Sequence, residues 1–258
     1  MIEWHGFISP CPKKLQMAPP RGNLPGEMVA NLGDNIARTA ERISAACRRC
    51  GRRREDVRLV AVSKTHSPEM IRAAFAAGLR DFGENRVQEA QSKLRELADL
   101  VATWHLVGHL QSNKARAARG LFHWVHSLDS RHLAEKLAQA AAPGGARLPV
   151  LIEVNLGEET SKAGVRAGEV AALAEQIAPL ETLELRGLMV IPPFFENPED
   201  VRPYFRQLRA LASDLERRNL PNVSMHELSM GMSHDFEVAI EEGATIVRVG
   251  TAIFGPRV

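Results

Sequence analysis

Cysteine is scarce in this chain of 258 residues: Cys11, Cys47 and Cys50 are all there is. An odd set of three in so long a chain is not a disulfide framework, and such usage fits a reducing compartment. Cys47 and Cys50 have the spacing of a zinc or redox pair, but no second pair stands at a comparable spacing. They lie in CRRCGRRRED, where a helix pattern ends, and read as ordinary helix-end cysteines. Charge of one sign is missing as well. Lysine and arginine number 33 against 31 aspartates and glutamates, a net +2, mixed along the chain, so neither a nucleic-acid nor a membrane-surface role is the default. No apolar run reaches the ~18 residues a membrane helix needs. The N-terminus has no apolar core of the signal-peptide kind, and the expected location is the cytoplasm. No histidine pair has zincin spacing, so no metal site is expected.

Hydrophobic residues at 45% and charged residues at 25% are ordinary globular proportions. Residues 1–27 carry five prolines and no apolar period, and read as a flexible extension ahead of a domain over 28–258. From Val29 to Arg49 apolar residues recur at helical spacing, with Gly51 where a helix stop belongs. Eight short apolar runs follow: 57–63, 80–83, 104–108, 124–128, 149–155, 183–191, 223–229 and 245–250. Helical segments near 68–77, 86–100, 112–119, 130–142, 168–178, 198–218 and 234–242 alternate with them. Eight strands in strict alternation predict a single (β/α)8 TIM barrel with an extra N-terminal helix. The eighth helix has to be short or replaced by the opening one, because only eight residues follow Gly250.

Such a barrel carries its site at the C-terminal ends of its strands. Strand one runs into LVAVSKTHSPEM, which puts Lys64 at the rim, with Ser67 and Pro68 as cap and first turn of the next helix. A lysine partly desolvated there has a lowered pKa and a neutral amine suited to a Schiff base. A rim lysine paired to a carboxylate is the other reading. Of the remaining lysines, Lys13 and Lys14 fall in the extension, Lys114 and Lys162 in loops, and Lys93 and Lys136 on solvated helix faces. The last two strands end in LSMGMSHDFEVAI and VRVGTAIFG. Gly231 permits a tight turn, Ser229 and Ser233 offer hydroxyls, and Ser233 is placed to cap a helix starting near His234. Gly250 lets backbone approach a ligand and Thr251 adds a hydroxyl, the elements of a phosphate site after strands seven and eight. Arg248 shares the inward parity of Ile246 and needs a partner inside the barrel. His105, inside a strand, reads as a hydrogen-bonded core histidine. Glu84, Asn85, His109, Gln111, Asn113, Ser127, Asp129 and Asn155 make other strand ends polar.

Taken in order, AVSKTHS, FGENRVQE, WHLVGHLQSNK, EVNLGEETSKAG, LSMGMSHDFEVAI and VRVGTAIFG resemble the pyridoxal phosphate homeostasis protein family, related in fold to the N-terminal barrel of alanine racemase. The resemblance runs from Met28 to the C-terminus. It implies that Lys64 carries pyridoxal 5'-phosphate as a Schiff base and that Arg248 faces the pyridine nitrogen. It further implies that Ser229, Ser233, Gly250 and Thr251 surround the phosphate, that Gly231 belongs to the cofactor-binding set, and that Asn85 lies near the ring. The function it implies is cofactor homeostasis without strong catalysis, with apo-enzymes that need the cofactor as partners. A monomer is expected, with a dimer left open. The alternative is a pyridoxal phosphate-dependent amino-acid racemase. Related racemases take a catalytic tyrosine from a second domain, and the single tyrosine here, Tyr204, falls on the helix before strand seven.

Overall fold

The computed structural model describes residues 26–157 and 163–256. Residues 1–25 of the expected extension, and Lys162, lie outside them. Eight parallel strands form the barrel: β1 (Arg58–Val62), β2 (Asp81–Glu84), β3 (Thr103–Leu106), β4 (Trp124–Leu128), β5 (Leu148–Asn155), β6 (Leu183–Val190), β7 (Val223–Ser229) and β8 (Ile246–Val249). Each pairs with the next, and β8 returns to β1 with Arg58 opposite Ile246, which closes the sheet. All eight expected runs are strands, with every end within two residues of the expected one. Val165–Arg166, a two-residue strand beside the end of β5, was not expected.

Parity along the strands sorts the core into two. Leu59 and Ala61 of β1 join the large apolar layer between sheet and helices. Val60 points the other way and packs with Leu151, Met189 and Ile246 inside the barrel. Around that inner layer the interior is polar: His105, His126, Ser229 and Arg248 are buried on inward positions.

The outer ring is α1 (Gly26–Arg49), α2 (Pro68–Ala76), α3 (Val87–Glu96), α4 (Ala115–Leu121), α5 (Arg131–Gln139), α6 (Val170–Ile177), α7 (Arg202–Glu216), α8 (Phe236–Glu241) and α9 (Thr251–Phe254). The eighth barrel helix is both short and supplemented: α9 is a single turn, and α1 packs across α8 and α9. Leu32, Ile36 and Ile43 of α1 are buried, Asn35 donates to the Ile253 carbonyl at 3.1 Å, and Arg42 pairs with Glu237 at 2.9 Å. Cys47 packs in the core and Cys50 is half-buried at the end of α1, both as free thiols.

Candidate functional site

A cavity of about 530 Å³ opens at the C-terminal ends of the strands. Lys64 follows β1 into its wall, held on a short tether between Ser63, the first residue past the strand, and Ser67, whose hydroxyl accepts from Met70 N–H at 3.5 Å to start α2. Thr65, next to Lys64, has φ +67°, a left-handed conformation that costs a non-glycine residue about 1–2 kcal/mol and must be held from outside. Glu89 holds it, accepting from Thr65 N–H at 2.6 Å.

Behind that tether lies an ion cluster that corrects one expectation. Lys93 was expected on a solvated helix face, yet it is only 7% exposed. Its Nζ donates to the Ser63 carbonyl at 2.9 Å and to Glu84 at 3.1 and 3.3 Å, and it pairs with Glu89 at 2.6 Å. Glu84 also accepts from the Ser63 hydroxyl at 2.7 Å. Burial pushes the Glu84 carboxyl above its ordinary range despite Lys93. Burial also acts on Glu89, but its bonds to Lys93 and Thr65 N–H outweigh it and hold that carboxyl low. The backbone on both sides of Lys64 is thus fixed by one cluster of α3 and β2.

Arg248 forms the buried side of the cavity. Its Nη1 donates to the Ser229 carbonyl and hydroxyl, each at 2.7 Å, and its Nη2 to the Val190 carbonyl at 2.9 Å. Burial lowers its pKa to about 10, with Glu153 and Asp235 acting in the opposite sense. Glu153, on β5, was missed in the sequence. It lines the cavity at 7% exposure with Oε2 unpartnered among the described residues, and burial raises its pKa to about 7 against the pull of Arg248. The available signal was parity, since Leu151 points inward and Glu153 lies two residues on.

The turns after β7 and β8 meet around the Ser233 hydroxyl, which accepts from the backbone N–H of Gly250 and of Ala252, both at 3.3 Å. Ser233 was expected to cap a helix from His234. Instead α8 begins at Phe236, and Asp235 braces the turn by accepting from Met232 N–H at 2.6 Å. Gly231 is required here. Its φ is +90°, and a Cβ would come within 2.6 Å of the Ala239 Cβ and 2.9 Å of the Phe236 Cα. Gly250 lies against β1, where a Cβ would stand 3.3 Å from the Val62 carbonyl. On the opposite wall, Gly108 admits the backbone of Asn85, which a Cβ would meet at 2.5 Å.

Six of the eight expected site residues line this one cavity: Lys64, Asn85, Ser233, Arg248, Gly250 and Thr251. Ser229 and Gly231 do not reach it. Ser229 is fully buried and occupied by Arg248 and His126, so it stands behind the cavity rather than at its surface; Gly231 shapes the turn from below. His109 and Asn155 also line the wall, and His109 pairs with Asp129 at 3.3 Å. Ser127 instead donates to the Gly108 carbonyl at 2.7 Å, and Asn113 borders a separate groove between α4 and α5. Tyr204 lies on α7 with its ring 5.8 Å from that of Phe195.

Residues 35–258 match the family model described as alanine racemase, N-terminal domain. The pyridoxal phosphate homeostasis protein of Aquifex aeolicus is 48% identical over 227 residues, covering 88% of this chain and 99% of that protein. The protein of the same name from Pseudomonas aeruginosa is 45% identical over 229 residues, covering 89% and 97%. The chain belongs to the pyridoxal phosphate homeostasis protein family. Among solved relatives, PipY of Synechococcus elongatus with PLP bound is 44% identical with a TM-score of 0.74, covering 84% of this chain and 99% of PipY. Alanine racemase from Corynebacterium glutamicum, 17% identical with a TM-score of 0.67, covers 87% of this chain and 62% of that one, and so shares the fold.

Proposed function

We propose that this chain holds pyridoxal 5'-phosphate on Lys64 as a Schiff base and serves intracellular cofactor homeostasis, without strong catalytic activity of its own. The observation that carries the reading is the convergence of Lys64, Arg248 and the Ser233–Gly250 turn pair on one cavity of about 530 Å³, in a family whose relative PipY is described with PLP bound.

The residues suit the group chemically. Lys64 supplies the amine. Arg248 has five N–H groups and no acceptor. Its three bonds to the described residues leave two N–H groups for the ring nitrogen, which Arg248 would meet as an acceptor and keep unprotonated. Thr251 and Ser233 offer backbone N–H groups and hydroxyls to the phosphate, Gly250, whose own N–H is held by the Ser233 hydroxyl, lets the backbone approach it, and Asn85 stands beside the ring. Ser229 and Gly231 support these contacts from behind. When bound, the cofactor supplies an aldehyde carbon to which amines add reversibly. Lys64 would hold the group through its amine, and release to a competing amine is the chemistry a carrier for apo-enzymes would need. The domain assignment follows: the barrel over residues 28–258 binds, and residues 1–27 are an extension that binding does not use.

One observation favours a slow amino-acid racemase as a second reading. Glu153 puts a carboxyl with a pKa near 7 into the cavity, a value suited to moving protons at neutral pH. Against it, Tyr204 lies on α7 rather than at the cavity.

The absorption spectrum of the purified protein, before and after borohydride reduction, tests the first reading. A visible-edge band lost on reduction, with the label fixed on Lys64, is expected. Label on another lysine, or a band retained in Lys64→Ala, refutes it. Incubation with L-amino acids in deuterated water tests the second. Alpha-hydrogen exchange near about one turnover per second, abolished by Lys64→Ala, would replace the carrier by a racemase.

A further inference from the structure

Beneath the cavity floor, a file of hydrogen bonds joins residues of five strands. Asp81 Oδ1, on the first residue of β2, lies 3.0 Å from His105 Nε2 on β3. His105 Nδ1 lies 3.0 Å from His126 Nε2 on β4. His126 Nδ1 lies 2.8 Å from the Ser229 hydroxyl at the end of β7, and Arg248 Nη1 of β8 reaches the same oxygen at 2.7 Å. His105, His126 and Ser229 have no solvent exposure, while the Asp81 side chain keeps 24%.

The aspartate end of the file fixes the direction of its protons, and the arginine end agrees with it. Arg248 can only donate, so the Ser229 oxygen accepts there and keeps its single proton to donate to His126 Nδ1. Asp81, with Arg58 Nε 3.8 Å from the same oxygen, is a carboxylate that can only accept, so His105 carries its proton on Nε2. Burial holds both imidazoles below their ordinary pKa, and each neutral ring has one N–H. The His105 proton faces Asp81, so its Nδ1 accepts from His126 Nε2–H; His126 Nδ1 then accepts from Ser229. The order set from the aspartate end gives Ser229 the donor role toward His126 that its bond from Arg248 allows.

We propose that Asp81, His105, His126 and Ser229 form a one-directional relay that orients the Arg248 guanidinium, which makes the two histidines and the serine positioning residues for the ligand that Arg248 meets. The identity of that ligand rests on the pyridoxal phosphate reading; the relay does not. An arginine at the end of a flexible side chain swings unless its acceptors are fixed. Here the oxygen it grips is itself held by a file anchored at the far end of the barrel, so its remaining N–H groups face the cavity in one orientation.

Nitrogen-15 NMR of the ligand-free protein, labelled on histidine and arginine, tests the order first. Both rings should be Nε2–H tautomers, and Nδ1–H on either overturns the relay. His105→Gln and His105→Leu test the coupling. A glutamine offers one N–H side to Asp81 and one oxygen to His126, and should keep slow Arg248 N–H exchange and a pyridoxal phosphate affinity within about threefold of native. Leucine fills the space without the bonds, and should speed that exchange and weaken affinity on the order of tenfold. Equal behaviour of the two variants refutes the proposal. If His105→Leu fails to fold, Ser229→Ala carries the same expectation, and native affinity with native Arg248 exchange in it refutes the proposal equally. Failure of the native chain to bind pyridoxal phosphate would sink the functional reading alone, because the tautomers and Arg248 exchange are measured without it.

Discussion

Replacing Lys93 by methionine removes the ammonium at the centre of a buried cluster while keeping most of its apolar stem. Glu84, with no solvent exposure, then loses the contacts at 3.1 and 3.3 Å and keeps only the Ser63 hydroxyl at 2.7 Å. Breaking one partner of a buried pair costs about 3–5 kcal/mol while the other stays charged. The Glu84 carboxyl already sits above its ordinary range because of burial, and without Lys93 it rises further. A raised carboxyl makes the folded state bind a proton that the unfolded chain has released, so the variant loses stability, relative to native, as pH rises through the raised value. Below the ordinary carboxylate range the acid is neutral in both states, and the deficit shrinks to lost hydrogen bonds, about 1–2 kcal/mol. Urea unfolding at about pH 3.5 and about pH 8 measures both values. Adding Glu84→Gln should recover most of the loss at the higher pH, since no buried charge then lacks a partner. A deficit equal at both pH values, or a double variant no more stable than Lys93→Met, refutes the reasoning. Lys93 also grips the Ser63 carbonyl at 2.9 Å, so the single variant should hold pyridoxal phosphate more weakly as well.

Glu153→Gln should stabilise the ligand-free protein above about pH 7 by up to about 3 kcal/mol, because the native carboxyl, raised to about 7, charges at a cost that the unfolded chain does not pay; the gain should fade as pH falls toward the ordinary carboxylate range. A gain independent of pH in urea melts contradicts this. Gly231→Ala should cost more than about 2 kcal/mol and weaken phosphate binding, because a Cβ at φ +90° meets Ala239 and Phe236; a native melting temperature would show that the turn yields. Pyridoxal without its phosphate should bind much more weakly than pyridoxal phosphate, and Ser233→Ala with Thr251→Val should narrow that difference; equal affinities in the native protein rule out a phosphate site. A chain starting at Met28 should melt within a few degrees of the full chain and bind alike, since the family match begins at residue 35; loss of binding on truncation contradicts the domain assignment.

The strand and helix alternation, the rim position of Lys64, the inward parity of Arg248 and the glycine turns after β7 and β8 were legible in the sequence, because each is a local property: a hydrophobic period, a parity along one strand, a backbone conformation. What one residue meets across the barrel is not local. Lys93 reads as a surface residue in its own helix, and only the packing of α3 against the end of β1 turns it inward to Glu84 and Ser63. Ser229 reads as a phosphate hydroxyl at the end of its strand, yet His126 and Arg248, 103 and 19 residues away, claim it first. Glu153 had inward parity, but its raised pKa depends on how deeply the closed sheet buries it beside Arg248. The sequence determined which side chains enter the barrel. Closure of the sheet, with its tilt and register, decided which of them touch, and so where the charges and protons of the site reside.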